Sequence, residues 1–224
     1  MVGKTVIWSS WLVAGLAVVA AAGDLDQPLR AIRDVAAEGR GNKEAQAAWR
    51  ELAAAKAQAL PEILAALDGA NPLAANYLRG AVETIAQREL EAGGRLPVAE
   101  LEKFILDTKH DPRGRRLAFE LLAKVDPSAP DRLIPGFLHD PSVEFRRDAV
   151  ARLIEKSARF TADGKPAESK TILAEALSGA RDDDQVQAIK KQLEGLGEKI
   201  DLPTHFGFLT HWRLVAPFDN SGLK

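Results

Sequence analysis

The chain has no cysteine among its 224 residues. That excludes disulfide bracing, a thiolate nucleophile and any metal site built on sulfur. The signatures of common catalytic machinery are missing as well. There is no Gly-x-x-x-x-Gly-Lys phosphate loop, no Gly-x-Ser-x-Gly elbow and no His-Glu-x-x-His pair. A formal charge of −2 supplies no bulk attraction to nucleic acid or to an anionic membrane. Aromatic residues make up only 6% of the chain, so a core has to come from aliphatic side chains and alanine.

What the chain does have is repetition. Ala followed by a large apolar residue recurs in helical register at Ala81-Val82, Ala118-Phe119, Ala149-Val150 and Ala188-Ile189. The two central copies agree best. Asp111-Pro112 precedes Arg115-Arg116-Leu117-Ala118-Phe119 and Leu122, and Asp140-Pro141 precedes Arg146-Arg147-Asp148-Ala149-Val150 and Leu153. An earlier copy opens with Asn71-Pro72 and reaches Arg79-Gly80-Ala81-Val82. A degenerate last copy has Asp182-Asp183-Asp184 in place of Asp-Pro and carries no arginine. The Asp or Asn before proline reads as an N-cap followed by a pre-set φ. Each of the first three copies also has a first helix introduced by Leu60-Pro61, Leu96-Pro97 or Ile134-Pro135, followed by apolar residues three and four apart. The unit is therefore helix, turn, helix, with a spacing of roughly 30 to 40 residues, and its apolar face is covered only by the next unit.

These motifs resemble the HEAT-like repeats also found in phycobilisome-lyase-type proteins. The stretches from Asn71 to Glu83 and from Asp131 to Gly136 are similar to an uncharacterised group of secreted HEAT-repeat proteins of planctomycete-like bacteria. The resemblance covers about Leu60 to Leu196. It implies an all-α fold, an α-solenoid of helical hairpins of the armadillo-like kind, and it implies no shared ligand.

Four regions follow. Residues 1–22 carry Lys4, an apolar run from about Val6 and the small residues Ala20-Ala21-Ala22, the pattern of a secretory signal peptide; a retained N-terminal anchor is the alternative. The expected location is secreted or periplasmic. Residues 23–59 hold two capping helices, the first with Leu29, Ile32 and Val35, the second capped by Asn42 and running through Trp49 and Leu52. Residues 60–200 are the repeats. In residues 201–224, Phe206, Phe208, Thr210, Trp212 and Leu214 share one face at period two, which predicts a β-strand or hairpin. That segment resembles the opening strand of a β-sandwich, so it is expected to begin a truncated β-rich domain.

The candidate functional residues are arginines. Arg79, Arg116 and Arg147 stand two positions before the repeated alanine, with Arg115 and Arg146 beside two of them. They form either a basic stripe that grips carboxylate or phosphate, or a structural ladder paired with the turn aspartates Asp111 and Asp140. The near-neutral balance of the chain favours the ladder. His205 and His211 permit a metal pair only if the strand forms, and they lack a third ligand; His110 and His139 adjoin turn aspartates. Asp182, Asp183 and Asp184 lack the spacing and glycine of a calcium loop. The expectation is a chain with no catalytic residue, no cofactor and no metal. It serves as an interaction scaffold for a protein partner or for a downstream domain of the same polypeptide. The alternative is a helical accessory module of a larger extracellular enzyme or carbohydrate-binding protein. No nucleic-acid role is expected, and no membrane contact beyond the leader.

Overall fold

The computed structural model describes residues 25–214, 221 and 222. The leader expected over residues 1–22 lies outside them. The described chain is all-helical, with eleven α-helices, three short 3-10 turns and no strand. None of these helices is long and apolar enough to cross a membrane.

The first two, α1 (Asp26–Arg33) and α2 (Asn42–Ala53), pack on each other and on α4 (Pro72–Glu91). Gly41, rather than Asn42, is the N-cap of α2. Its φ of +73° favours glycine, and a Cβ there would stand only 3.3 Å from Asp34 O. Asn42 is instead the first helical residue, and its Oδ1 accepts a hydrogen bond from the Tyr77 hydroxyl. The pair is tied to the repeats through backbone groups left open at element ends. Arg33 Nε donates to Ala66 O at 3.2 Å, Asn71 Nδ2 donates to Val35 O at 2.8 Å, and Arg88 donates to the carbonyls of Ala53 and Ala55.

Four hairpins then follow in chain order. α3 (Leu60–Ala65) packs on α4, and α5 (Val98–Leu106) packs on α6 (Pro112–Val125). α7 (Ala129–Leu133) runs into a 3-10 turn at Ile134–Phe137, which packs on α8 (Val143–Ala162). α9 (Pro166–Gly179) packs on α8 and on α10 (Asp183–Gly195). One apolar cluster runs through all of them, from Leu25 to Leu193. Ala81 and Ala118 are completely buried and Ala149 is 2% exposed, while Ala188 of the degenerate copy is only half-buried. The apolar partners Val82, Phe119, Val150 and Ile189 are all buried.

Several local expectations are corrected. Asn71 and Asp111 do cap their helices, accepting from Leu73 N and Ala74 N and from Arg113 N respectively. Asp140 does not, because the two-residue insertion puts Ser142 at the cap of α8, and Asp140 accepts from Ser142 N instead. Pro97 is the N-cap of α5 rather than its first helical residue. Ile134-Pro135 does not start an α-helix. Pro135 has no N–H for the carbonyl four residues back, so α7 stops and the chain tightens into a 3-10 turn. The first helix of the last hairpin, α9, carries Ile172, Leu173, Ala176 and Leu177 at helical spacing and went unread.

The C-terminal strand is not formed in the described residues. Asp201 caps a single helical turn, α11 (Leu202–His205), accepting from Thr204 N at 3.3 Å and from Thr204 Oγ1 at 2.6 Å. From Phe208 to Leu214 the backbone is irregular, and Phe208, Leu209, Trp212 and Leu214 are exposed. Period two alone does not make a strand. The backbone groups need a neighbouring edge, and no described element offers one.

Hairpins meet closely at Gly179, the last residue of α9. A Cβ there would stand 2.4 Å from Leu138 Cδ1 and 2.5 Å from Leu138 O, a backbone atom that cannot swing aside. Gly179→Ala is therefore expected to lower the unfolding free energy by about 1–3 kcal/mol in urea denaturation. An unchanged midpoint would mean that the last two hairpins do not dock here.

Candidate functional site

The alanine register decides where each arginine points. At about 100° per residue, a side chain three positions before the buried alanine lies on the alanine's face, and one two positions before it lies on the far side. Arg115 is accordingly buried, Arg146 is half-buried, and Arg79, Arg116 and Arg147 reach the outer face.

On the outer face the arginines pair from one second helix to the next. Arg79 of α4 holds Glu83 through Nε at 2.8 Å and approaches Glu120 of α6 at 3.8 Å. Arg116 of α6 bonds Asp148 of α8 at 2.6 Å, with Glu120 at 3.3 Å and Glu144 at 3.5 Å. Arg147 of α8 grips both carboxylate oxygens of Asp184 in α10, at 2.8 and 2.6 Å, and has Asp182 at 3.4 Å. Ion pairs thus link α4 to α6, α6 to α8 and α8 to α10. Burial works against the charge on Arg116, but hydrogen bonds to Asp148 and Glu120 outweigh it and hold the guanidinium more firmly protonated than usual.

On the inner face Arg115 makes a different set of contacts. Nε donates to Ile105 O at 2.7 Å, in the open last turn of α5, while Nη1 and Nη2 donate to the two oxygens of Asp140 at 2.8 and 2.7 Å. Its guanidinium lies over the Phe145 ring, 5.1 Å from the centroid. Arg146 donates from Nη1 to Asp140 O at 3.0 Å, and its Nε is buried without an acceptor. In the last copy Gln185 takes the position of Arg115 and Arg146, donating to Arg147 O at 2.9 Å, and Val186 takes that of Arg116. The series of rungs ends there.

Of the two turn aspartates offered as partners by the sequence, Asp140 meets Arg115. Asp111 does not join the series. It pairs with Arg113 of its own helix at 3.0 Å, whose hydrogen bond holds the Asp111 carboxyl below the usual carboxylate range. The helix acids Glu120, Asp148 and Asp184 were missed by sequence reasoning. Only Glu120 carried a signal, its place one turn after Arg116; Asp148 and Asp184 lie 32 and 37 positions from the arginines they meet.

The histidines do not converge. His110 stacks on Phe104 with centroids 4.0 Å apart, and its Nδ1 lies 2.8 Å from Asp68, whose other oxygen accepts from Asp111 N at 2.7 Å. This joins the loop after α3 to the start of α6. His205 packs edge-on against Phe206, and His211 Nδ1 meets Thr210 Oγ1 at 3.0 Å. Among the described residues no three histidine or acidic side chains are grouped to hold a metal ion.

The shortened α7 leaves a cleft of about 610 Å³ between Asp131 and Pro135 on one side, Leu153 and Lys156 of α8 beneath, and Glu175 of α9 opposite. Arg152 spans part of it to Asp131 at 2.6 Å.

The Arg147 rung gives a direct test of pairing in solution. The Arg147 hydrogen bond lowers the Asp184 carboxyl below its ordinary value. A lowered folded-state value means that the pair's contribution is present above the unfolded aspartate value, about 3.9, and is lost as pH falls through the folded one. Arg147→Ala is expected to move the Asp184 carboxyl back up in an NMR pH titration. An unmoved titration would show that the rung is not made.

Compared with protein-family models, curated proteins and solved structures, the chain matches none.

Proposed function

We propose that the chain is a non-catalytic interaction scaffold, an α-solenoid of HEAT-like hairpins exported from the cell. The observation that carries this reading is the series of outer rungs, which ties α4, α6, α8 and α10 into one continuous polar strip. The inner faces of the same helices feed a shared apolar core. Substantial contacts run between elements close in chain order, the arrangement a stacked repeat requires. Such a stack leaves a broad surface whose residues come from different hairpins, which suits a protein partner better than a small molecule.

Photo-crosslinking in the producing cell tests the reading. A photoreactive residue at position 144, on the strip, is expected to trap one recurrent protein, and one at position 168, on α9, is not. Absence of any face-dependent adduct would overturn the scaffold. Export rests on the leader pattern ending at Ala20-Ala21-Ala22. Mature material is expected to begin near Gly23 or Asp24, and recovery of Met1 would replace export by anchoring.

A second reading is favoured by the exposed side chains of Phe208, Leu209, Trp212 and Leu214. Here the helices are an accessory module for an extracellular ligand-binding or catalytic domain packed against that segment.

A further inference from the structure

The cleft beside α7 has its origin in unequal helix lengths. Pro135 stops α7 after five residues, whereas α9 of the next hairpin runs for 14. The helix beneath, α8, has 20 residues and is about 30 Å long, so α7 and its 3-10 turn roof only part of it. The repeat register shows what is left bare. Ile85 of α4 and Leu122 of α6, each four positions after the buried alanine, are completely buried, but Leu153 at the same position of α8 is only half-buried and faces the cleft. An apolar core position there lacks part of its cover. The 610 Å³ of space above it falls within the range of about 300–1,000 Å³ typical of ligand pockets.

Two opposite charges in the same cleft are also uncommitted. Arg152 is taken by Asp131 at 2.6 Å, and Arg159 stands 3.9 Å from Glu155. Lys156 and Glu175 line the cleft too, and neither makes an ion pair with any described residue. Their separation follows from the hairpin. Ser157 Oγ of α8 and Ser169 Oγ of α9 lie 2.7 Å apart, and α9 runs back along α8. Lys156 is one residue before Ser157 and Glu175 is six after Ser169, so the two stand about five helical rises, or about 7–8 Å, apart along the hairpin. A ligand of one sign would be drawn by one of these groups and repelled by the other. A ligand carrying both signs satisfies the two together.

We infer that this cleft binds a short free peptide of about three residues, with its carboxylate on Lys156, its amino group on Glu175 and an apolar side chain over Leu153. An extended tripeptide spans about 10 Å, which covers the step along the hairpin and leaves reach for the offset between its helices. The cleft shares no residue with the outer strip, so this site and the scaffold reading stand or fall separately.

The test is an NMR titration of the full chain with the tripeptide Ala-Leu-Ala, following the methyl groups of Leu153. Free Ala-Leu-Ala is expected to shift them saturably. Acetylating its amino group or amidating its carboxylate is expected to weaken binding about fivefold each, the size of one partly exposed ion pair, and Ala-Gly-Ala is expected to bind more weakly for want of the apolar contact. Lys156 and Glu175 are both exposed, so replacing them leaves the fold intact. Lys156→Gln is expected to weaken the free peptide by the same factor and leave the amidated one unchanged, since that peptide has already lost the group Lys156 holds. Glu175→Gln is expected to do the same for the acetylated peptide. No shift at Leu153 would overturn the inference. So would equal affinities for free and blocked peptides, or losses in the two variants that ignore which end is blocked.

Discussion

Arg115→Ala is expected to lower the unfolding free energy by about 3–5 kcal/mol, measured by urea denaturation. The size follows from what is left behind. Arg115 is fully buried and Asp140 is 7% exposed, so removing the guanidinium strands a carboxylate away from water and also frees Ile105 O at the end of α5. Asp140→Ala strands the opposite charge and is expected to cost a similar amount. Replacing both residues with apolar side chains, Arg115→Met with Asp140→Leu, removes the two charges together and is expected to recover most of the loss. Single changes costing less than about 1 kcal/mol would show that the pair is hydrated in solution and does not join the second hairpin to the third.

Phe145→Ala is expected to be comparably severe, about 3–5 kcal/mol in thermal or urea unfolding. Phe145 is completely buried where three pieces of chain meet. Its ring meets Phe119 of α6 edge-on at 5.5 Å and Phe137 of the 3-10 turn at 4.6 Å, and it lies under Arg115. A 3-10 turn has poorer hydrogen-bond geometry than an α-helix, so the neighbours have rigid helix on one side only. If they collapse into the space, the loss shrinks toward the lower end. A change below about 1 kcal/mol would contradict the continuity of the core between α6 and α8.

Much of this fold was legible because helices advertise themselves twice, once in the apolar period and once in the cap. The buried Ala-apolar pairs of α4, α6 and α8 follow directly from spacing, and Asn71 and Asp111 cap as their place before proline predicts. Positions relative to the alanine also separate inner arginines from outer ones. Partners were harder to read. Asp148 meets Arg116 across 32 positions and Asp184 meets Arg147 across 37, and a distance in sequence carries no record of which helices stack. Asp140 was named as a partner but misread as a cap, because a two-residue insertion moves the helix start without changing the Asp-Pro motif. The C-terminal strand is not shown among the described residues, for a related reason. Alternation describes one chain, whereas a strand is a property of two.

Thermal unfolding of wild type and Arg116→Ala, each with and without poly-L-glutamate, tests most directly whether the arginines brace the helices they link rather than grip an acidic ligand. A ligand that binds only the folded state raises its melting temperature. With Arg116 held by Asp148, Glu120 and Glu144, the variant is expected to melt below wild type, and poly-L-glutamate to shift neither protein. A variant that melts with wild type, together with a poly-L-glutamate shift seen in wild type alone, would contradict the account and make the arginines a binding site.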